Sequence, residues 1–238
     1  MINNSNWQAA KVIGIFCLLV FSQSVFGQSL PGLTGEVKQF KNALAIVPQY
    51  AFYHGFRIDY ERKIKNSDQW IVLAPQVYSD ISNNNYYYYN NVGYSAYQSM
   101  VGFGINAYYK LMVFKSARKN LGSNLPRNAL YFSAGPNFQY FNLENMEEVA
   151  HPFIEDGVTY YKFELEDVTK PIYRIGAIAN VGWQFTFDRF MIDFYFGLAI
   201  KYSMDGDGKL IRDTYSDWVD PAYSGVLLDG GVRFGFFF

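Results

Sequence analysis

In the stretch RIDYERKI, residues 57–64, Arg57, Asp59, Glu61 and Lys63 stand two apart. In an extended strand that spacing puts all four side chains on one face. A face carrying both signs can do two kinds of chemistry. Buried, the charges pair and hold neighbouring strands; lining a narrow water path, they gate ions. Acid–base or nucleophilic catalysis needs a further group. The chain has two histidines, His54 and His151, and neither stands in a Ser/His/acid arrangement that spacing can identify. There is no glycine-rich phosphate loop and no His-rich cluster. The run DGDGK, 205–209, begins like a calcium loop but lacks the remaining ligands and the closing glutamate, so it reads as a turn. The residues therefore point to no enzyme, no metal and no cofactor.

The elements that carry these charges are strands. In FMIDFYFGLAIKY, 190–202, one face holds Phe190, Ile192, Phe194, Phe196, Leu198, Ile200 and Tyr202, and the other holds Met191, Asp193, Tyr195, Gly197, Ala199 and Lys201. The stretch 173–187 alternates in the same way, and only Asp188 and Arg189 separate the two, a tight hairpin turn. The same period of two places eight strands near 43–52, 56–64, 69–78, 97–113, 129–141, 172–187, 190–202 and 225–238. No helical period of useful length lies between them, which excludes parallel βαβ units. The fold class is all-β, an eight-stranded antiparallel up-and-down barrel. Its polar face gathers Arg57, Asp59, Glu61, Lys63, Lys110, Arg174, Asp193, Lys201, Asp229 and Arg233. Antiparallel order predicts two ion pairs, Asp193 with Arg233 and Lys201 with Asp229, with Glu61 joining the first.

Alternation alone does not say which face is inside. Three features choose an inverted, transmembrane barrel over a soluble lipocalin-like binder. The polar face is rich in Gly, Ala, Asn and Gln, small or neutral groups that suit a narrow interior. The apolar face has aromatics near both strand ends: Tyr50, Phe56, Tyr140, Tyr173 and Tyr202 at the long-loop end, and Phe187, Phe190 and Phe238 at the other. Such girdles mark the two lipid–water boundaries. Strands of about 9–14 residues suffice for a tilted crossing. Composition agrees: aromatics make up 20% of the chain and charged residues 17%, against about 25% charged in an ordinary soluble domain. A net charge of −1 leaves no basic footprint for nucleic acid.

Lys11 followed by the apolar run 12–21 and then SQSVFGQS reads as a cleaved secretory signal peptide over 1–27. Residues 28–42 form an N-terminal periplasmic segment, and 43–238 form the barrel. The single cysteine, Cys17, lies in the leader, so the mature chain has no disulfide.

Signal peptide, eight alternating strands, long and short loops on opposite ends, and a terminal aromatic strand together resemble the small outer-membrane β-barrel proteins, the OmpA/OmpX-like group. The stretch RIDYERKI resembles the second strand of such barrels of Bacteroidetes type. The resemblance implies location in the outer membrane of a Gram-negative bacterium, contact with outer-membrane lipid, and insertion by the barrel-assembly machinery. That machinery would recognise the last strand through Val232, Phe234, Phe236 and Phe238. A structural or surface-interaction role follows, with a narrow passive pore as the alternative.

Interaction would fall to the long loops. NNNYYYYNN, 83–91, offers Tyr86, Tyr87, Tyr88 and Tyr89 for an extracellular protein or glycan ligand. Residues 142–171 read as a solvated acidic loop, with Glu144, Glu147, Glu148, Glu155, Asp156, Glu164, Glu166 and Asp167 against Lys162 and Lys170. Three four-residue runs, VPQY, APQV and GPNF, put Pro48, Pro75 and Pro136 in strand interiors, where bulges would accommodate the missing N–H.

Overall fold

The fold is known from a computed structural model, which describes residues 39–64, 68–81, 99–116, 125–211 and 222–238. Residues 1–27, read from sequence as a leader, and Tyr86 to Tyr89 lie outside these residues. Eight strands follow in chain order: β1 Asn42–Ile46, β2 Gly55–Lys63, β3 Gln69–Ile81, β4 Ser99–Lys115, β5 Asn128–Glu155, β6 Val158–Phe187, β7 Phe190–Met204 and β8 Gly225–Phe237. Each pairs antiparallel with the next, and β1 pairs with β8, so the sheet closes into an up-and-down barrel. No α-helix occurs among the described residues.

The alternation has the expected hand. Arg57, Asp59, Glu61, Asn106, Lys110, Asp193 and Arg233 point inward and are buried. Phe103, Phe138, Ile175, Phe196, Leu198, Val226 and Leu228 point outward and are exposed. The residues fold this way because a closed sheet satisfies every interior ladder bond while sending alternate side chains to opposite sides. Asn42, assigned from sequence to the preceding segment, is the first residue of β1.

Strand β1 is much shorter than the sequence pattern predicts. It stops at Ile46, and Pro48–Tyr53 forms a 3-10 helix closed by His54 in the left-handed conformation. Proline explains the break: its fixed φ suits the first turn of a helix, and it has no N–H for the ladder. The junction of β1 with β8 is therefore short: four register pairs, from Ala43 with Phe237 to Ile46 with Phe234, and one more where Asn42 and Phe238 exchange backbone bonds. Above them β8 is paired to β7 alone among the described residues.

The other two prolines are handled without bulges. Arg57 faces Gln76 and Tyr60 faces Leu73 in one unbroken register, with the ladder interrupted opposite Pro75. Asn106 faces Asn137 and Tyr109 faces Ala134 in the same way across Pro136. A missing N–H costs a ladder bond but does not require an extra residue. The register shift between β4 and β5 lies elsewhere, between Met112 and Phe114.

The acidic segment 142–171 is no loop. Strands β5 and β6 stay paired through Glu155 and Val158, turning at Asp156 and Gly157 with φ of 50° and 76°. Two residues with positive φ make the two-residue turn whose twist matches that of paired strands, and Asp-Gly is a favoured sequence for it. The result is a two-stranded ribbon rising beyond the barrel rim, with residues 158–167 exposed throughout.

Candidate functional site

The chemistry of this molecule is concentrated in the barrel interior. Asp193 on β7 lies opposite Arg233 on β8, and their side chains form an ion pair. Arg233 also reaches two carboxylates on β2, Asp59 Oδ2 and Glu61 Oε1, each at 3.0 Å through Nη1. Lys110 on β4 donates to Glu61 Oε2 at 2.9 Å and to Gln184 Oε1 at 2.8 Å, and stands 3.4 Å from Asp193. Arg57 binds Asp59 in a fork, at 2.6 and 2.8 Å. Three cations thus face three carboxylates, all almost completely buried. The balance matters because a lone buried charge costs several kcal/mol, whereas a paired and hydrogen-bonded one does not.

Tyr131 on β5 stands at the centre of this cluster. Its hydroxyl donates to Asp193 Oδ1 at 2.8 Å and accepts from Arg233 Nη2 at 2.7 Å. Its ring lies 4.3 Å from Lys110 Nζ, a cation–π contact. The ring has room because Gly182 on β6 faces it: a Cβ there would come within 2.2 Å of the Tyr131 ring and hydroxyl.

Toward the ribbon end the charges give way to amides. Gln76, Asn106, Asn137 and Gln139 bond to one another and to Tyr78 and Tyr108. Arg174 and Lys201 both donate to Gln139 Oε1 at 3.3 Å. Asp229 accepts from Asn180 at 2.7 Å. The predicted Lys201–Asp229 pair is not formed, because the β7–β8 register places Lys201 opposite Gly225 and Asp229 opposite Gly197. Lys63 sits at the opposite rim with its ammonium 5.9 Å from the Trp70 ring.

Both mouths are packed with apolar groups. Phe40, Trp70, Met112 and Phe237 belong to one buried cluster at the short-turn end, where Trp70 and Phe237 meet edge to face. Tyr78, Met100, Phe141, Leu143 and Ile172 form another at the ribbon end. Tyr50 is not in the outer girdle, as its position in an unbroken β1 would require. The 3-10 helix turns it into the barrel, where its hydroxyl accepts from Arg57 at 3.2 Å. Gln49 beside it donates to Tyr195 at 2.8 Å. A void left among Arg57, Lys110, Tyr131, Tyr195 and Arg233 measures about 10 Å³, room for roughly one water.

Of the interior aromatics, Tyr195 falls on the polar face that its alternation gave it, whereas Tyr78, Tyr108 and Tyr131 escaped the sequence reading, which assigned mainly small and neutral polar groups to that face. Their parity was the available signal: each stands an even number of residues from an inward charge or amide on its own strand. The C-terminal residues fall as their alternation predicts, with Phe234 outward and Phe237 buried inside. The terminus pairs with β1: Asn42 N–H donates to Phe238 O at 3.1 Å, and Phe238 N–H donates to Asn42 O at 2.9 Å.

Outside the barrel, the Asp205 carboxylate accepts the backbone N–H groups of Asp207 and Lys209 at 3.1 and 2.8 Å, as a turn former does. On the ribbon, His151 lies in β5 rather than in a loop. It is brought near Glu164 and Glu166, with its Nε2 2.9 Å from Glu166. Lys162 pairs with Glu164.

No protein-family model matches this chain, and no curated protein matches it. Among solved structures it is similar to the crystal structure of Acinetobacter baumannii CarO2. That match covers 84% of this chain and 98% of that one, at 14% sequence identity and a TM-score of 0.35. A likeness at this level does not bear on activity, so the functional reading rests on the barrel itself.

Proposed function

We propose that the chain is an outer-membrane β-barrel with a structural and surface-interaction role, closed to solute flow. The observation that carries this reading is the inversion of the barrel. Charges and amides are buried inside, while Phe103, Phe138, Ile175, Phe196, Leu198, Ile200, Val226 and Leu228 cover the outside. In water such a continuous apolar belt would far exceed the few hundred Å² that a soluble monomer exposes. In a bilayer it is the required surface, and a closed sheet is one of the two backbone arrangements that leave no unpaired groups in lipid. Tyr173 and Tyr202 at one strand end and Phe187 and Phe190 at the other support the boundary positions. The soluble lipocalin-like alternative needs the opposite hand.

The passive-pore alternative needs a continuous water path. Side chains already fill an eight-stranded barrel, and here paired charges and two apolar mouths supply them. The reading assigns the protein no catalysis. It assigns β8, with Val232, Phe234, Phe236 and Phe238, to recognition by the assembly machinery, and the loops and ribbon to contacts at the cell surface.

Two measurements test this. The protein should fractionate with outer membranes and migrate differently on gels before and after boiling; recovery in the soluble periplasm would overturn the location. In planar bilayers the folded protein should give no stable open level. A reproducible single-channel step would establish the pore instead.

A further inference from the structure

The outer wall of the barrel carries a groove of about 440 Å³ near the short-turn end, formed by residues 44–46 of β1, 190–192 of β7 and 234–236 of β8. None of these residues has a polar side chain. The groove spans the junction of β1 with β8. Just past it the rim is basic. Lys41 leads into β1, Arg62 stands opposite Asn42, and Arg189 immediately precedes Phe190. Arg62 is exposed on the outer face, level with Asn42, which lies two residues from Leu44, about 7 Å of strand. Arg189 is held in place: its carbonyl accepts the Phe237 N–H at 2.7 Å, and its guanidinium lies 5.7 Å from the centre of the Phe40 ring. Lys63, Lys115 and Arg127 continue the rim. Its anions are Asp188, the carboxylate at Phe238, and Asp68, which Lys115 takes at 2.6 Å. Among the described residues at this end, six cations therefore face three anions. The ribbon end has the opposite sign, with six acidic side chains against two lysines over residues 148–170.

We infer that groove and rim together hold one anionic phospholipid, with an acyl chain in the groove and the phosphate on Arg62 and Arg189. The inference rests on the membrane-barrel reading above, under which this wall already faces lipid. The groove alone would take any acyl chain, and the rim alone any phosphate. Set end to end across the lipid–water boundary, they select a molecule that carries both. Guanidinium groups present forked N–H donors that match phosphate oxygens, and clustered cations beside a membrane-facing wall attract anionic headgroups. A choline headgroup would bring its own cation into this basic rim, so the fit is to a headgroup of the phosphatidylglycerol kind. The bound lipid would touch β7, β8 and β1 at once and so lie over the short junction that closes the barrel.

The test compares lipids on the full chain refolded in detergent micelles doped with phosphatidylglycerol or with phosphatidylcholine. Phosphatidylglycerol should raise the temperature at which the folded gel band is lost, and phosphatidylcholine should raise it less. Arg62→Gln/Arg189→Gln should lose that difference, and so should Ile192→Trp, which fills the groove. Lys115→Gln/Arg127→Gln, on the far side of the rim, should keep it. Equal loss in that second pair would show diffuse attraction to a basic rim and overturn the site. Soluble glycerol phosphate should not reproduce the shift; if it does, the rim takes free phosphate and the lipid is overturned. Native mass spectrometry of the unsubstituted chain reads the same preference without a variant: one phosphatidylglycerol should be retained where phosphatidylcholine is stripped. A barrel that keeps its boiling-dependent gel shift but treats both lipids alike overturns the site and leaves the membrane reading intact. A chain that shows no such shift in either lipid overturns both.

Discussion

Arg233→Leu should leave a barrel that unfolds at markedly lower temperature in detergent, by about 3–5 kcal/mol of stability. The reason is the company Arg233 keeps. It binds Asp59, Glu61 and Asp193 at once, and its loss leaves three buried carboxylates to Lys110 and Arg57. The lost attraction is the smaller part of the effect; the larger part is the uncompensated charge in a space with almost no water. A second change separates the two. In Arg233→Leu/Asp193→Leu the cation and its nearest carboxylate leave together, so charge balance returns and much of the stability should return with it. The measurement is the temperature at which the folded gel band is lost. Unchanged heat resistance in the single variant would show that the cluster does not hold the barrel together.

Gly182→Val is the second large effect. The new side chain would occupy the space of the Tyr131 ring, since even a Cβ would lie within 2.2 Å of it. Tyr131 would have to swing away, breaking its bonds to Asp193 and Arg233 and its contact with Lys110. Overpacking of this kind costs about 1–3 kcal/mol, and the broken charged hydrogen bonds add a further 1–3 kcal/mol. Tyr131→Ala alone should also destabilise the barrel, by opening a cavity and removing the same bonds. The two changes together should cost clearly less than their sum, because valine then fills the space that tyrosine vacates. Additive costs in a urea titration would show that the two positions do not share that space.

The barrel was legible in the sequence because the signal that specifies a strand face is local. Phe190 to Tyr202 alternate strictly, and both faces of that strand fall as the pattern says. Asp193–Arg233 was legible too, since a two-residue hairpin fixes the β6–β7 register and the chain end fixes β8. Lys201–Asp229 failed for want of register: depth was judged from each strand's end, and the true pairing is displaced by four residues. Tyr50 failed because alternation through Val47 and Gln49 continues past the point where Pro48 turns the chain inward. The ribbon was hidden by composition. Acidic residues between two strands read as a loop, although Asp156-Gly157 flanked by Val149, Phe153, Val158 and Tyr160 carried a hairpin signal. The tyrosine cluster depended on Gly182, a partner on another strand, and no single-strand pattern shows such a match.

The short junction of β1 with β8 has a consequence for the order in which the structure comes apart. Every other strand pair is either a hairpin or closed by a connection of moderate length, whereas this one joins residues nearly the whole chain apart. Closing so long a loop carries the highest chain-entropy cost in the fold, and the fewest ladder bonds offset it. The amides of Leu44 and Phe236 should therefore exchange with solvent deuterium before those of Phe132 or Val181 in the middle of β5 and β6. The cylinder would open along this one line, as a sheet still eight strands wide, held by its seven remaining pairings.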